Sequence, residues 1–177
     1  MTLDRLWAGW RSHYLGAAGA PHPEAAAGPG ACVFCRILAS SEPPETTLVV
    51  WRDDTVAAVL NAYPYTSGHL LVLPVRHAPL LDDLTPGEGE RLWATLRHAE
   101  GALRRGYQPE GTNVGANLGR AAGAGLPEHL HFHVLPRWSA DTNFMTTVAE
   151  ARVLPEALPA TFARVRAAWA PTAGEVR

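Results

Sequence analysis

Residues 128–138 read Glu128-His129-Leu130-His131-Phe132-His133-Val134-Leu135-Pro136-Arg137-Trp138. Histidine alternates with a large apolar residue three times. In a β-strand successive side chains point to opposite faces. His129, His131 and His133 therefore share one face, and Leu130, Phe132 and Val134 the other. The apolar face suits a core. No core needs three imidazoles in a row, so the second face is expected to carry chemistry. Neutral imidazole suits two roles: a nucleophile toward phosphorus, or a metal ligand.

The segment feeding this strand, residues 117–125, is Asn117-Leu118-Gly119-Arg120-Ala121-Ala122-Gly123-Ala124-Gly125. Glycines let backbone N–H groups approach an anion closely. The segment lacks a G-K-[ST] ending, so it is not a P-loop. Beside three histidines, a phosphate cradle is the reading favoured for it.

Upstream, residues 47–52 and 55–60 form two apolar strands around the hairpin signal Asp53-Asp54. A third strand, 69–73, stops at Pro74, with Arg76-His77 just beyond. Thr85-Pro86-Gly87-Glu88 is a helix start, with Thr85 as N-cap and Glu88 closing a capping box. Leu92, Leu96, Ala99 and Leu103 form its apolar stripe, and Gly106 is expected to end it. Residues 113–118 are the fourth strand and the histidine stretch the fifth. A second helix is expected over about 159–170, with Phe162, Val165 and Trp169 facing inward. This order predicts an α+β fold: a mainly antiparallel five-stranded sheet, one central helix and an added C-terminal helix. Leu3, Leu6, Trp7, Trp10 and Tyr14 fall at helical spacing, followed by an Ala/Gly/Pro-rich linker, 16–30. The predicted organisation is an N-terminal helix and linker (1–31), a catalytic domain (32–138) and a C-terminal extension packed on it (139–177).

Composition narrows the chemistry. The 177 residues suffice for one domain with a real core, and 47% of them are hydrophobic. A formal net charge of −2 with no long basic run argues against general nucleic-acid affinity. The chain has no lysine, which removes Schiff-base chemistry, pyridoxal phosphate anchoring and a P-loop lysine. None of its five serines sits in a G-x-S-x-G elbow. There is no apolar signal core and no run of membrane-spanning length, so a cytoplasmic protein is expected. The two cysteines, Cys32 and Cys35, form a C-x-x-C pair rather than a disulfide framework. On their own they fit core thiols, a redox pair or a metal site, although the strand that a thioredoxin-like motif needs is missing before them.

His129-Leu130-His131-Phe132-His133-Val134-Leu135 resembles the signature of the histidine-triad superfamily of nucleotidyl hydrolases and transferases. Residues 61–74, from Asn61 through Gly68-His69 to Pro74, are similar to the superfamily's second block. The tail around Asp141-Thr142-Asn143-Phe144-Met145 and the Trp-rich N-terminus look like the branch that includes diadenosine tetraphosphate phosphorylases. The resemblance implies that His131 is the nucleophile, with His133 and His69 as a supporting imidazole network. It implies that Asn61 contacts ribose and that Asn117 lies near the phosphates. Many members carry Gln or Ser at the position of Gly125; here backbone N–H groups around Gly123 and Gly125 are left to hold phosphate. Arg137 and Trp138 are further candidates, for phosphate pairing and base stacking, with packing and ion pairing as the equal alternative.

Some relatives, including galactose-1-phosphate uridylyltransferases, bind structural zinc through two such cysteines, a histidine after the third strand and the first triad histidine. Cys32, Cys35, His77 and His129 match that pattern, and zinc is the implied cofactor, with a metal-free thiol pair as the alternative. The implied partners are adenosine nucleotides or dinucleoside polyphosphates, with inorganic phosphate as an acceptor, and a second copy of the chain in a homodimer. Phosphorolysis is favoured. The competing readings are hydrolysis of dinucleoside polyphosphates or nucleoside phosphoramidates, nucleotide binding without turnover, and a catalytic metal held by the triad.

Overall fold

The computed structural model describes residues 30, 32–139, 141 and 156–169. The expected N-terminal helix, its linker up to residue 29 and the motif at 142–145 lie outside the described residues. The elements are α1 (Val33–Ala39), α2 (Pro44–Thr47), β1 (Val49–Arg52), β2 (Val56–Leu60), β3 (Leu70–Pro74), α3 (Pro86–Tyr107), β4 (Gly111–Ala116), β5 (Phe132–Arg137) and α4 (Leu158–Trp169). One-turn 3-10 helices occupy Leu81–Asp83 and Arg120–Ala122.

The five strands make one sheet in the order β1-β2-β3-β5-β4, with every neighbouring pair antiparallel. This is the expected α+β architecture. β1 and β2 join through a hairpin in which Asp53 Oδ1 accepts from the N–H groups of Thr55 and Val56, at 2.8 Å each. That side chain mimics a backbone turn, which is why an aspartate stands at position 53. β5 enters between β3 and β4, so the histidine strand is central and β4 is an edge.

β2 and β3 are buried along their whole length because both faces are covered. On one face Val56, Ala58, Leu60, Leu70, Val72, Leu130 and Val134 pack against α3 and α4. On the other, Ala57, Val59, Leu71 and Leu73 pack against Phe34 and Leu38 of α1. Continuous apolar runs are what such doubly covered strands require.

α3 begins at the Thr85 capping box as expected. It does not end at Gly106; it runs to Tyr107, and Gln108 takes the left-handed conformation at φ 47°. Gly106 instead permits close helix packing, since a Cβ there would stand 3.2 Å from Ala168 Cβ on α4. β4 lies two residues earlier than expected, because its partner β5 ends at Arg137, opposite Gly111. The short helix α2, in a Pro43-Pro44 context that reads as loop, was not legible from spacing.

Candidate active site and metal centre

The alternation of the histidine stretch holds in three dimensions, although regular strand pairing begins only at Phe132. Leu130 and Val134 are in the large core, with Phe132 packed against it. The three histidines turn to the opposite side, and there each turns to different partners. They do not converge on one point, as a three-histidine catalytic metal site demands.

His131 is 7% exposed: buried, yet still reached by solvent. Its Nδ1 lies 2.8 Å from the carbonyl oxygen of His129. A carbonyl only accepts, so Nδ1 carries the proton and Nε2 carries the lone pair. Burial pushes the His131 pKa below the ordinary imidazole range, against a weaker raising effect of that hydrogen bond. The ring is thus held neutral with a defined free nitrogen.

His133 belongs to a chain of hydrogen bonds. The Tyr65 N–H donates to His69 Nδ1 at 3.1 Å, and Asn61 Nδ2 stands 3.2 Å from the same nitrogen. His69 Nε2 must then carry the proton, and it meets His133 Nδ1 at 2.8 Å. The proton of neutral His133 is left on Nε2. Burial, and then the neighbouring His131, push the His133 pKa down. Tyr65 also stacks on His133, with centroids 5.8 Å apart and planes 15° from parallel. Asn61 is anchored in turn, its Oδ1 accepting from the Tyr63 N–H at 2.9 Å.

His129 faces the other way, into a cluster with Cys32, Cys35 and His77 whose ligand atoms all lie within 4.8 Å of one another. Its Nε2–H donates to the Pro74 carbonyl at 2.9 Å, which leaves the Nδ1 lone pair aimed at the sulfurs. Nδ1 stands 3.4 Å from Cys32 Sγ and 3.6 Å from Cys35 Sγ, and His77 Nδ1 stands 3.3 Å from Cys35 Sγ. A tetrahedral zinc with Zn–S near 2.3 Å and Zn–N near 2.0 Å has S···N edges of roughly 3.5 Å. The residues fit such an ion. One Nδ1 shared by two sulfurs is also more than a single thiol hydrogen bond needs. Without a cation, burial and the Cys32 thiol push Cys35 up to about 11. The turn bearing His77 is fixed by Arg76, which grips both Glu88 oxygens at 2.9 and 2.8 Å and the Asp83 carbonyl at 2.6 Å.

β4 ends at Ala116, paired with Phe132, so the glycine-rich segment starts, at Asn117, one residue beyond the pairing that adjoins His131. Gly119 and Gly123 have φ of +78° and +90°. The cradle is narrower than the sequence suggested. The Gly123 N–H closes its own turn on the Arg120 carbonyl, and Asn117 Nδ2 reaches the Gly123 carbonyl at 3.5 Å. The Gly125 N–H engages no backbone carbonyl among the described residues. A Cβ at Gly125 would meet nothing within 4 Å, so packing does not impose glycine there.

Arg137 and Trp138 each have structural partners and remain partly exposed. Arg137 spends its guanidinium on Asp141, at 2.5 and 2.7 Å, and on Asn113 at 2.7 Å. Trp138 packs edge-on against Tyr107, 6.1 Å between centroids. Two residues that spacing alone did not flag, Phe34 and Tyr65, touch the triad rings. Phe34 sits inside C-x-x-C and Tyr65 four residues before His69, but neither position advertises a ring contact.

The family model for the HIT domain matches residues 42–140. The AP-4-A phosphorylase of Mycobacterium tuberculosis is 43% identical over 169 residues, 95% of this chain and 85% of that protein. The asymmetrical bis(5'-nucleosyl)-tetraphosphatase of Schizosaccharomyces pombe is 36% identical over 101 residues, 57% of this chain and 55% of that one. Among solved structures, a zinc-bound histidine triad family protein from Mycobacterium smegmatis aligns with a TM-score of 0.65 at 30% identity, over 80% of this chain and 95% of that one.

Proposed function

The chain belongs to the HIT domain family, and on that premise we propose that it is a nucleotidyl-transfer enzyme acting on dinucleoside polyphosphates such as diadenosine tetraphosphate, with phosphorolysis the favoured outcome. The observation that carries this reading is the His131 Nδ1 contact to the His129 carbonyl, which leaves Nε2 as the one free nucleophilic nitrogen of that ring.

The reaction runs as two in-line displacements. His131 Nε2 attacks the α-phosphorus of a bound adenylyl group; a P–N bond forms, the P–O bond to the polyphosphate nucleotide breaks, and ATP leaves from diadenosine tetraphosphate. An oxygen of inorganic phosphate then attacks the same phosphorus, the P–N bond breaks, and ADP is released. Water in place of phosphate gives AMP. The leaving group is already a weak base, so charge stabilisation matters more than a strong general acid. The His133 Nε2–H and the Gly125 N–H supply it, Asn61 holds ribose beside His69, and Asn117 lies by the phosphates.

Cys32, Cys35, His77 and His129 hold zinc as a structural ion that fastens α1 to the histidine stretch. A second copy of the chain pairs on the open edge of β4, where Val114 is exposed. No helix among the described residues is long and apolar enough to cross a membrane. Paired free thiols suit the reducing cytoplasm.

Incubation with diadenosine tetraphosphate, with and without phosphate, tests the reading. ADP plus ATP appearing only with phosphate identifies phosphorolysis; AMP plus ATP identifies hydrolysis. His131→Ala is expected to abolish turnover while nucleotide binding persists. Binding with no products from the wild-type protein would establish a nucleotide-binding protein without turnover, and full activity of the variant would end the covalent mechanism.

A further inference from the structure

We propose that Phe34 is a positioning residue for His131, holding its ring so that Nε2 stays on the line of attack; this rests on the reading of His131 as nucleophile. Phe34 is 4% exposed and belongs to the cluster with Leu38, Ala57, Val59, Leu71 and Leu73. Its ring centroid lies 5.1 Å from that of His131, with planes at 52°, and 5.5 Å from that of His129, at 75°. One side chain therefore contacts both the nucleophile ring and the ring of the residue whose carbonyl orients it.

The hydrogen bond to the His129 carbonyl fixes one ring atom of His131, but a single bond lets the ring pivot about it. Contacts on its flanks remove that freedom. His133 supplies one, its centroid 5.1 Å away at 64°. Phe34 supplies another, and it is itself firmly seated. α1 is packed into the sheet through Phe34 and Leu38, and the Arg52 guanidinium donates to the Leu38 carbonyl. Phosphoryl transfer by in-line attack is sensitive to such alignment, and a misplacement near 1 Å costs up to about 100-fold in rate.

The test uses the full chain with Phe34→Ala and with Phe34→Leu, which keeps apolar volume and guards against a variant that merely fails to fold. Two quantities are read. The first is the kcat and KM for diadenosine tetraphosphate. The second is the set of imidazole 15N chemical shifts of His131, which report its tautomer without any substrate. Phe34→Ala is expected to lower kcat about 10- to 100-fold with KM changed less than about twofold, and to replace a single Nδ1–H tautomer by a mixture. Phe34→Leu is expected to recover most of both. Unchanged kcat, a loss confined to KM, or an undisturbed tautomer in Phe34→Ala would each overturn the proposal. His131→Ala, assayed alongside, separates the two failures: if it stays active the nucleophile reading is wrong. If it is inactive while Phe34→Ala is unimpaired, only the positioning role is wrong.

Discussion

His69 donates its Nε2–H to His133 Nδ1 across 2.8 Å, and the Tyr65 N–H on the far side of His69 allows no other direction for that bond. The pair is matched for neutral rings. A proton added at His133 Nδ1 would set two N–H groups against each other.

The pH dependence follows from this. Burial lowers the pKa of His131 and of His133 below the ordinary value of about 6.5. A depressed histidine binds fewer protons folded than unfolded, so its stabilising contribution is complete above about 6.5 and is lost as pH falls through the lower folded value. The acid limb of kcat/KM, which reports the free enzyme, is expected below pH 6.5, with a plateau above it. An acid limb at pH 7 or higher in a pH–rate profile would contradict the neutral-pair account.

Metal content gives the second prediction. A Cys35 thiol pushed up to about 11 is protonated at neutral pH without a cation, so zinc must displace thiol protons to bind. Mass-spectrometric metal analysis is expected to find one zinc per chain and to show it released on acidification. Cys35→Ser and chelation are each expected to remove it and to lower the melting temperature. Metal retained by Cys35→Ser but lost in His131→Ala would move the ion to the triad and overturn the structural assignment.

Gly68 supplies a stability prediction. Its φ is +83°, and a Cβ there would stand 2.9 Å from Tyr107 Cε2 and 3.2 Å from Leu103 Cδ2 and Pro136 Cγ. Left-handed strain and overpacking together should make Gly68→Ala destabilising by roughly 2–3 kcal/mol. Gly89→Ala, in an open part of α3, should be neutral or stabilising by up to about 1 kcal/mol. Thermal melts of the two variants compare them directly; equal melting temperatures would show that the Gly68 backbone relaxes.

The sheet and the central helix were legible because their signals are local. The alternation at 129–134, the Asp53 turn and the Thr85 capping box each set an element through neighbours within a few residues. The direction of each imidazole was not legible. Strand period gives a face, but the tautomers of His129, His131 and His69 depend on the Pro74 carbonyl, the His129 carbonyl and the Tyr65 N–H. Gly106 shows the same limit, since its neighbour Ala168 lies on another helix. Arg137 was open between phosphate pairing and ion pairing for a related reason: its neighbour in space is set by the turn after the strand, where the Asp141 carboxylate binds the guanidinium at two atoms.

The strand order 1-2-3-5-4 also fixes a timetable. β4 is synthesised before β5 but has no partner until β5 enters beside it, and β3, which ends at Pro74, keeps an open edge for longer still. Cys32 waits 97 residues for His129. At ribosomal speeds of about 5–20 residues per second, that is roughly 5–20 s in which the growing chain carries two thiols and an unfinished ligand set. Sheet closure, completion of the thiol–imidazole cluster and alignment of His131 then coincide, so a nascent or truncated chain lacking its last strand has no partly competent site.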